Sequence, residues 1–136
     1  MLVVDASVLA VALLDDGAEG DALRARLRGE DLAAPSIIDL EVVSVWRGLA
    51  RSGQVDARRA ALALEDLRVL PLRRVDHVPL IARCWELRDN LTVYGASYVA
   101  LAEALQAPLL TGDRRIARAP GPTCPVELVT NQADAR

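Results

Sequence analysis

The chain has 136 residues, 52% of them hydrophobic, which suits one domain with a real core and no need for covalent or metal staples. Its net charge of −3 excludes whole-molecule attraction to nucleic acid, so any phosphate binding must come from a local arginine patch. All 16 basic residues are Arg, and without Lys the chain lacks Gly-x-x-x-x-Gly-Lys, which excludes P-loop nucleotide hydrolases.

Leu2 to Asp5 reads as a short buried strand, followed at once by helical character from Ala6 to Leu14. Asp15-Asp16-Gly17 breaks that run. Leu23 and Leu27 then lie at i, i+4 in a surface helix from Glu19 to Arg28, which Gly29 ends. LAAP is a candidate second strand. Ser36 is a candidate N-cap for a helix carrying Ile38, Val42, Val45 and Leu49 at helical spacing up to Gly53.

Asp56 caps the next predicted helix, with Ala60, Leu64 and Leu67 inward, and VLPL (Val69 to Leu72) is a short strand. Asp76 to Arg88 predicts a half-buried helix with Pro79 in its first turn and Val78, Ile81, Ala82, Trp85 and Leu87 as its apolar residues. Thr92 caps a helix from Val93 to Leu105 with Tyr94, Tyr98, Leu101 and Leu105 as a stripe. Pro108 to Thr111 is a buried strand, Arg114 to Ala119 a short helix, VELV an edge strand and NQADAR a frayed tail. Strands separated by helices, with no hairpin signal, predict an α/β fold whose mainly parallel sheet is covered on both faces.

Three acids stand out in this layout. Asp5 and Asp113 each stand at or just after a strand end, and Glu41 opens the helix after LAAPS. Open parallel sheets gather such positions on one rim. Singly, each has an ordinary use as a helix cap or dipole partner. Crowded together, like charges repel unless a cation lies between them, and hard carboxylate oxygens suit Mg²⁺ or Mn²⁺. Such a site activates water for attack on phosphorus, so the predicted reaction is phosphodiester hydrolysis. Ser7 and Thr111, each two residues from an acid, are positioned to hydrogen-bond a carboxylate or a metal-bound water. Arg47, Arg51, Arg114, Arg115 and Arg118 are the candidate phosphate-binding cations.

MLVVDASVL, APSIIDLEVVSVWRGL, LTVYGASYVALAEAL and LLTGDRRI, in that order, resemble the four signature blocks of PIN-domain ribonucleases, specifically VapC toxins of toxin–antitoxin pairs. The resemblance spans nearly the whole chain as a single PIN-like domain, residues 1–136. It implies a three-layer α/β/α sandwich, a Mg²⁺- or Mn²⁺-dependent endoribonuclease acting on structured RNA, a homodimer, and neutralisation by a VapB-type antitoxin. By position, Asp5, Glu41 and Asp113 match the family's acidic metal-site residues. The third block departs: the family has Asp after the Tyr, and this chain has Gly95.

As the third residue of a helix capped by Thr92, Gly95 costs up to about 1 kcal/mol relative to Ala, and an acid there would complement the helix dipole. Gly95 therefore reads as a lost ligand, and this form is expected to bind metal weakly and to cleave RNA poorly or not at all. Neither Asp89 nor Ser97 substitutes for it. The alternative is an inactive PIN-fold binding module that still dimerises and holds its antitoxin. A receiver-type phosphotransfer domain is disfavoured because it needs paired early acids and a lysine.

The remaining residues have bland readings. His77 fits a surface or capping role, and Trp46 and Trp85 fit core or interface anchors rather than base-stacking platforms. The run Val42-Val43-x-Val45-Trp46 and the small face Ala96, Ala100, Ala104 are candidate dimer or antitoxin contacts as well as core. Cys84 and Cys124, 40 positions apart, have no zinc spacing and read as thiols in a reducing compartment. No apolar run reaches membrane-spanning length and no basic region precedes the first one, so a cytoplasmic protein is expected.

Overall fold

A computed structural model describes residues 1–129. The elements are β1 (Leu2–Val4), α1 (Ala6–Leu14), α2 (Ala18–Leu27), β2 (Leu32–Pro35), α3 (Ile38–Arg51), α4 (Ala57–Val69), β3 (Leu72–Val75), α5 (Ile81–Glu86), α6 (Val93–Leu105), β4 (Leu109–Thr111), α7 (Arg114–Arg118) and β5 (Val126–Leu128). The strands form one parallel sheet in the order β3-β2-β1-β4-β5, with Val3 registered against both Ala33 and Leu109. Helices cover it in an α/β/α arrangement: α6 lies against β1, β2 and β4 with α5 behind it, and α1 packs on α2, α3 and α4.

Central strands of such a sheet lose water on both faces, which is why LVV and LLT are continuous apolar runs rather than alternating ones. Leu2, Val3, Val4, Leu109 and Leu110 are at most 1% exposed, and burying each stabilises the fold by about 1.5–3 kcal/mol. The chain lays down β1, β2 and β3 in one direction, then returns across β1 to place β4 on its other side. That reversal opens a crevice at the carboxyl ends of β1 and β4, where open α/β sheets bind ligands.

Several local expectations shift. The third strand is Leu72–Val75, not Val69 to Leu72, because α4 continues to Val69 and Pro71 cannot donate to a ladder. As an edge strand it carries Arg73 and Arg74. The Arg74 guanidinium forks onto Asp39 at 2.7 and 3.0 Å and also donates to the Leu67 carbonyl, tying β3 to α3 and α4. Ser36 does not cap α3, since its hydroxyl donates to the Val75 carbonyl and the capping position falls on Ile37.

The segment 76–88 divides into a 3₁₀ turn (Val78–Leu80) and the short α5, and its buried residues are Leu80, Cys84 and Leu87. Val78, Ile81 and Trp85 face outward. Val45, Leu64 and Tyr94 are also exposed, whereas Trp46, Ala63 and Tyr98 are buried. Trp46 is a core anchor whose indole donates to the Ala10 carbonyl, and Trp85 is a surface residue. Ala96 and Ala100 belong to the core, so of the small face only Ala104 is exposed. His77 is exposed and makes no side-chain cap bond. The NQADAR tail lies outside the described residues.

A polar latch holds the connection into β5. Arg83 forks onto Glu103 at 2.8 and 3.1 Å and donates to the Gly121 carbonyl, while Glu103 also accepts from the amide and hydroxyl of Thr123. The Arg83 guanidinium holds the Glu103 carboxyl down at about 2, so the latch stays charged well into the acid range.

Candidate active site

Asp5 ends β1 and caps α1, its Oδ1 accepting from the Val8 amide. Capping alone does not explain its surroundings. The side chain is 4% exposed and accepts two further hydrogen bonds, from the Ser7 hydroxyl to Oδ1 at 2.6 Å and from the Thr111 hydroxyl to Oδ2. Ser7 in turn accepts from the Gly112 amide at 2.9 Å, and Thr111 accepts from the Asp113 amide at 2.9 Å. The ends of β1 and β4 are thus laced together through two hydroxyls, and both of them aim at Asp5. Gly112 suits this approach, since a Cβ there would stand 3.2 Å from Ser7 Oγ.

Asp113 begins α7 and accepts the Arg115 amide at 2.9 Å. The Arg115 guanidinium forks onto the same carboxylate, Nε to Oδ1 and Nη2 to Oδ2, both at 3.1 Å. Glu41, in the first turn of α3, is half-buried and accepts from the Tyr98 hydroxyl at 2.6 Å. Asp5, Glu41, Gly95 and Asp113 all line one cleft of about 400 Å³, together with Ser7, Tyr98 and Arg115.

The two strand-end acids are pushed in opposite directions. Burial raises the Asp5 carboxyl above its ordinary range, with the charge of Asp113 adding to the rise, while hydrogen bonds from Ser7, Thr111 and Val8 pull the other way. Asp113 is lowered by Arg115. Burial, then the bond to Glu41, raises the Tyr98 hydroxyl, which keeps it a proton donor at neutral pH.

In chemistry the cleft fits a hard divalent cation, since its acids offer carboxylate oxygens and one or two of them with bound water suffice for Mg²⁺. The acids are not drawn in around one point. Among the described residues, no three His, Cys, Asp or Glu side chains gather closely enough to hold an ion. Arg115 occupies Asp113, Tyr98 occupies Glu41, and Gly95 contributes no ligand.

Of the candidate arginines, Arg115 lines the cleft; Arg47, Arg51, Arg114 and Arg118 are exposed and lie outside its wall. Asp89 lines a neighbouring cleft, and the Ser97 hydroxyl is spent on the Tyr94 carbonyl. Sequence reasoning missed Tyr98 as a site residue, assigning it to an apolar stripe. Its spacing was the available signal, because i+3 from Gly95 on α6 places both on one helix face.

A family model described as "PIN domain" matches residues 2–122. Ribonuclease VapC1 of Mycobacterium tuberculosis (strain ATCC 25618 / H37Rv) is 44% identical over 128 residues, covering 93% of this chain and 96% of that protein. Ribonuclease VapC9 of the same strain is 41% identical over 129 residues, covering 95% and 98%. Among solved structures, FitAcB from Neisseria gonorrhoeae superposes with a TM-score of 0.63 at 15% identity, covering 93% of this chain and 96% of that one. VapBC2 from Rickettsia felis, bound to a DNA fragment from their promoter, gives 0.62 at 14% identity over 93% and 97%. At these identities the structures speak to the fold alone.

Proposed function

We propose that this chain, which belongs to the PIN-domain family, is a VapC-type ribonuclease toxin of a toxin–antitoxin pair, acting as a divalent-cation-dependent endoribonuclease on structured RNA and weakened by Gly95. The observation that carries the reading is the cleft itself. Asp5, Glu41 and Asp113 come from segments far apart in sequence and line one crevice where the sheet reverses its strand order.

Asp5 is the anchoring ligand, pre-aimed by Ser7 and Thr111, with Asp113 and Glu41 completing the acidic wall. A bound Mg²⁺ or Mn²⁺ would supply an activated water and neutralise charge on the phosphodiester. The protein's own work is to orient carboxylates, and Tyr98 holds Glu41 in place for it. The second reading, a binding module without catalysis, is favoured by Gly95 and by the existing partners of Glu41 and Asp113.

Adding Mn²⁺ is expected to raise the melting temperature of the native chain, because a ligand that binds only the folded state stabilises it. The same addition should leave Asp5→Asn unmoved, and slow, cation-dependent RNA cleavage should vanish in that variant. Cleavage that survives a chelator or the loss of Asp5 would refute the cation site built on Asp5, and no cleavage under any condition would refute the nuclease reading. Without cation, Asp5→Asn should be the more stable protein at neutral pH. A carboxyl raised by folding favours the protonated native state, so its contribution falls as pH climbs past the ordinary value of 3.8.

The partners proposed are a VapB-type antitoxin and a second copy of the chain. A groove of about 480 Å³ between α1, α3 and α4 sets Val11, Val45 and Leu49 beside Asp15, Asp16 and Glu19, and suits an antitoxin segment that carries both apolar and basic side chains. Near the acidic cleft, Ile81, Trp85, Val93 and Tyr94 are all more than half exposed around a second, almost wholly apolar groove. Such a patch is what a homodimer covers. Sedimentation of the isolated chain should then give twice 14.6 kDa; a monomer at micromolar concentration rules the dimer out. No helix among the described residues is long and apolar enough to cross a membrane, and the cytoplasm, where such RNA resides, is the proposed location.

A further inference from the structure

Arg115 stands where two clefts meet. On one side is the acidic cleft, and on the other a cleft of about 400 Å³ lined by Arg88, Asp89, Asn90 and Thr92; Asp113 and Arg115 belong to both walls. The Arg115 side chain is 84% exposed, yet its guanidinium is committed to both oxygens of Asp113. An exposed ion pair of this kind is weak, so the guanidinium can leave at little cost. The same planar fork that grips a carboxylate grips a phosphate equally well.

We propose that Arg115 is a two-position residue: it clasps Asp113 while no cation is present, and turns to a phosphate of the RNA backbone when a divalent cation takes the carboxylate. This rests on the nuclease reading above. Arg88, whose guanidinium lies 4.3 Å from the centroid of the Trp85 ring, is a second cation on the same path, in a cleft whose acids are Asp89 and the shared Asp113. The strand therefore passes from the acidic cleft to the Arg88 cleft beside Arg115. Cation and RNA then bind cooperatively, because each relieves a cost the other would meet: the cation frees the arginine, and the phosphate keeps it from returning.

The test uses the native chain, Arg115→Ala, Arg115→Lys and Asp5→Asn, with Mn²⁺ alone as the first probe in calorimetry. Arg115→Ala should bind Mn²⁺ about two- to fivefold tighter than native, the range that loss of an exposed competing pair allows. Arg115→Lys, charged but unable to fork, should fall between them. The second probe is a 2′-O-methylated RNA hairpin that cannot be cleaved, followed by fluorescence anisotropy. Mn²⁺ should strengthen its binding to the native chain, and that gain should disappear in Arg115→Ala.

Mn²⁺ affinity that is unchanged or weaker in Arg115→Ala overturns the clasp. An RNA gain that persists in Arg115→Ala, or is absent from the native chain, overturns the transfer. If native and Asp5→Asn are alike in failing to bind Mn²⁺, the nuclease reading falls first and this inference with it. The exposure of Arg115 keeps the folding of its variants out of the comparison.

Discussion

Gly95→Asp is expected to speed Mg²⁺-dependent cleavage of structured RNA by about a hundredfold, the rate equivalent of roughly 3 kcal/mol of added charge stabilisation at the cation. Nothing in the backbone asks for glycine here. Gly95 is the third residue of α6, outside the positive-φ glycines Gly29, Gly53 and Gly121, and its amide donates to the Thr92 hydroxyl at 3.0 Å. An added Cβ would meet Thr92 Oγ1 at 3.2 Å and Ile116 Cδ1 at 3.5 Å, so the capping hydroxyl must give by a few tenths of an ångström. The new carboxylate would enter the cleft already lined by Asp5, Glu41 and Asp113.

A competing outcome is built into the same position. An acid three residues after Thr92 can fold back onto the Thr92 amide as a capping box, which stabilises the helix and does nothing for catalysis. Paired measurements of cleavage rate and melting temperature separate the two. A higher melting temperature with unchanged cleavage means that Gly95 is not a missing ligand, and the binding-module reading then takes over.

Gly20→Ala is expected to destabilise the protein by about 3 kcal/mol or more, with the melting temperature falling by roughly 10 °C. A Cβ on Gly20 would lie 1.9 Å from the carbonyl oxygen of Asp15 and 2.7 Å from its carbon, a clash with backbone that no rotamer relieves. Relief means lifting α2 off the end of α1. That would strip the 2.7 Å bond from the Gly20 amide to Asp15 and the two that Arg24 donates to the Ala12 and Asp15 carbonyls. Gly48→Ala is the matched comparison, because nothing lies within 4 Å of a Cβ there and the exposed helical site should gain up to about 1 kcal/mol. Urea denaturation of both checks the argument; equal stability of Gly20→Ala and the native chain would sink it.

The alternation of strand and helix was legible in the sequence because each signal is local. LVV and LLT are apolar runs of strand length, and Asp56 and Thr92 cap the helices they precede, accepting from Arg59 and Gly95 amides. The strand-end positions of Asp5 and Asp113 follow from the same runs, and a parallel sheet aligns strand ends without further instruction. The departure at Gly95 also needed no coordinates.

Tertiary structure decided what periodicity leaves open. A helical stripe says that one face is apolar, not which neighbour covers it, so Val45, Leu64 and Trp85 came out exposed while Trp46, Ala63 and Cys84 went in. The strand at 72–75 carries two arginines because its edge position lets Arg74 reach Asp39 and the C-terminal end of α4, a choice that a hydrophobic pattern cannot encode. The partners of the acids lie further still from local reading. Thr111 meets Asp5 across 106 positions and Tyr98 meets Glu41 across 57. Those distances in sequence close only because β4 inserts beside β1 and α6 packs across both, and the free energy that places them is the burial of the whole sheet rather than any property of the segments involved.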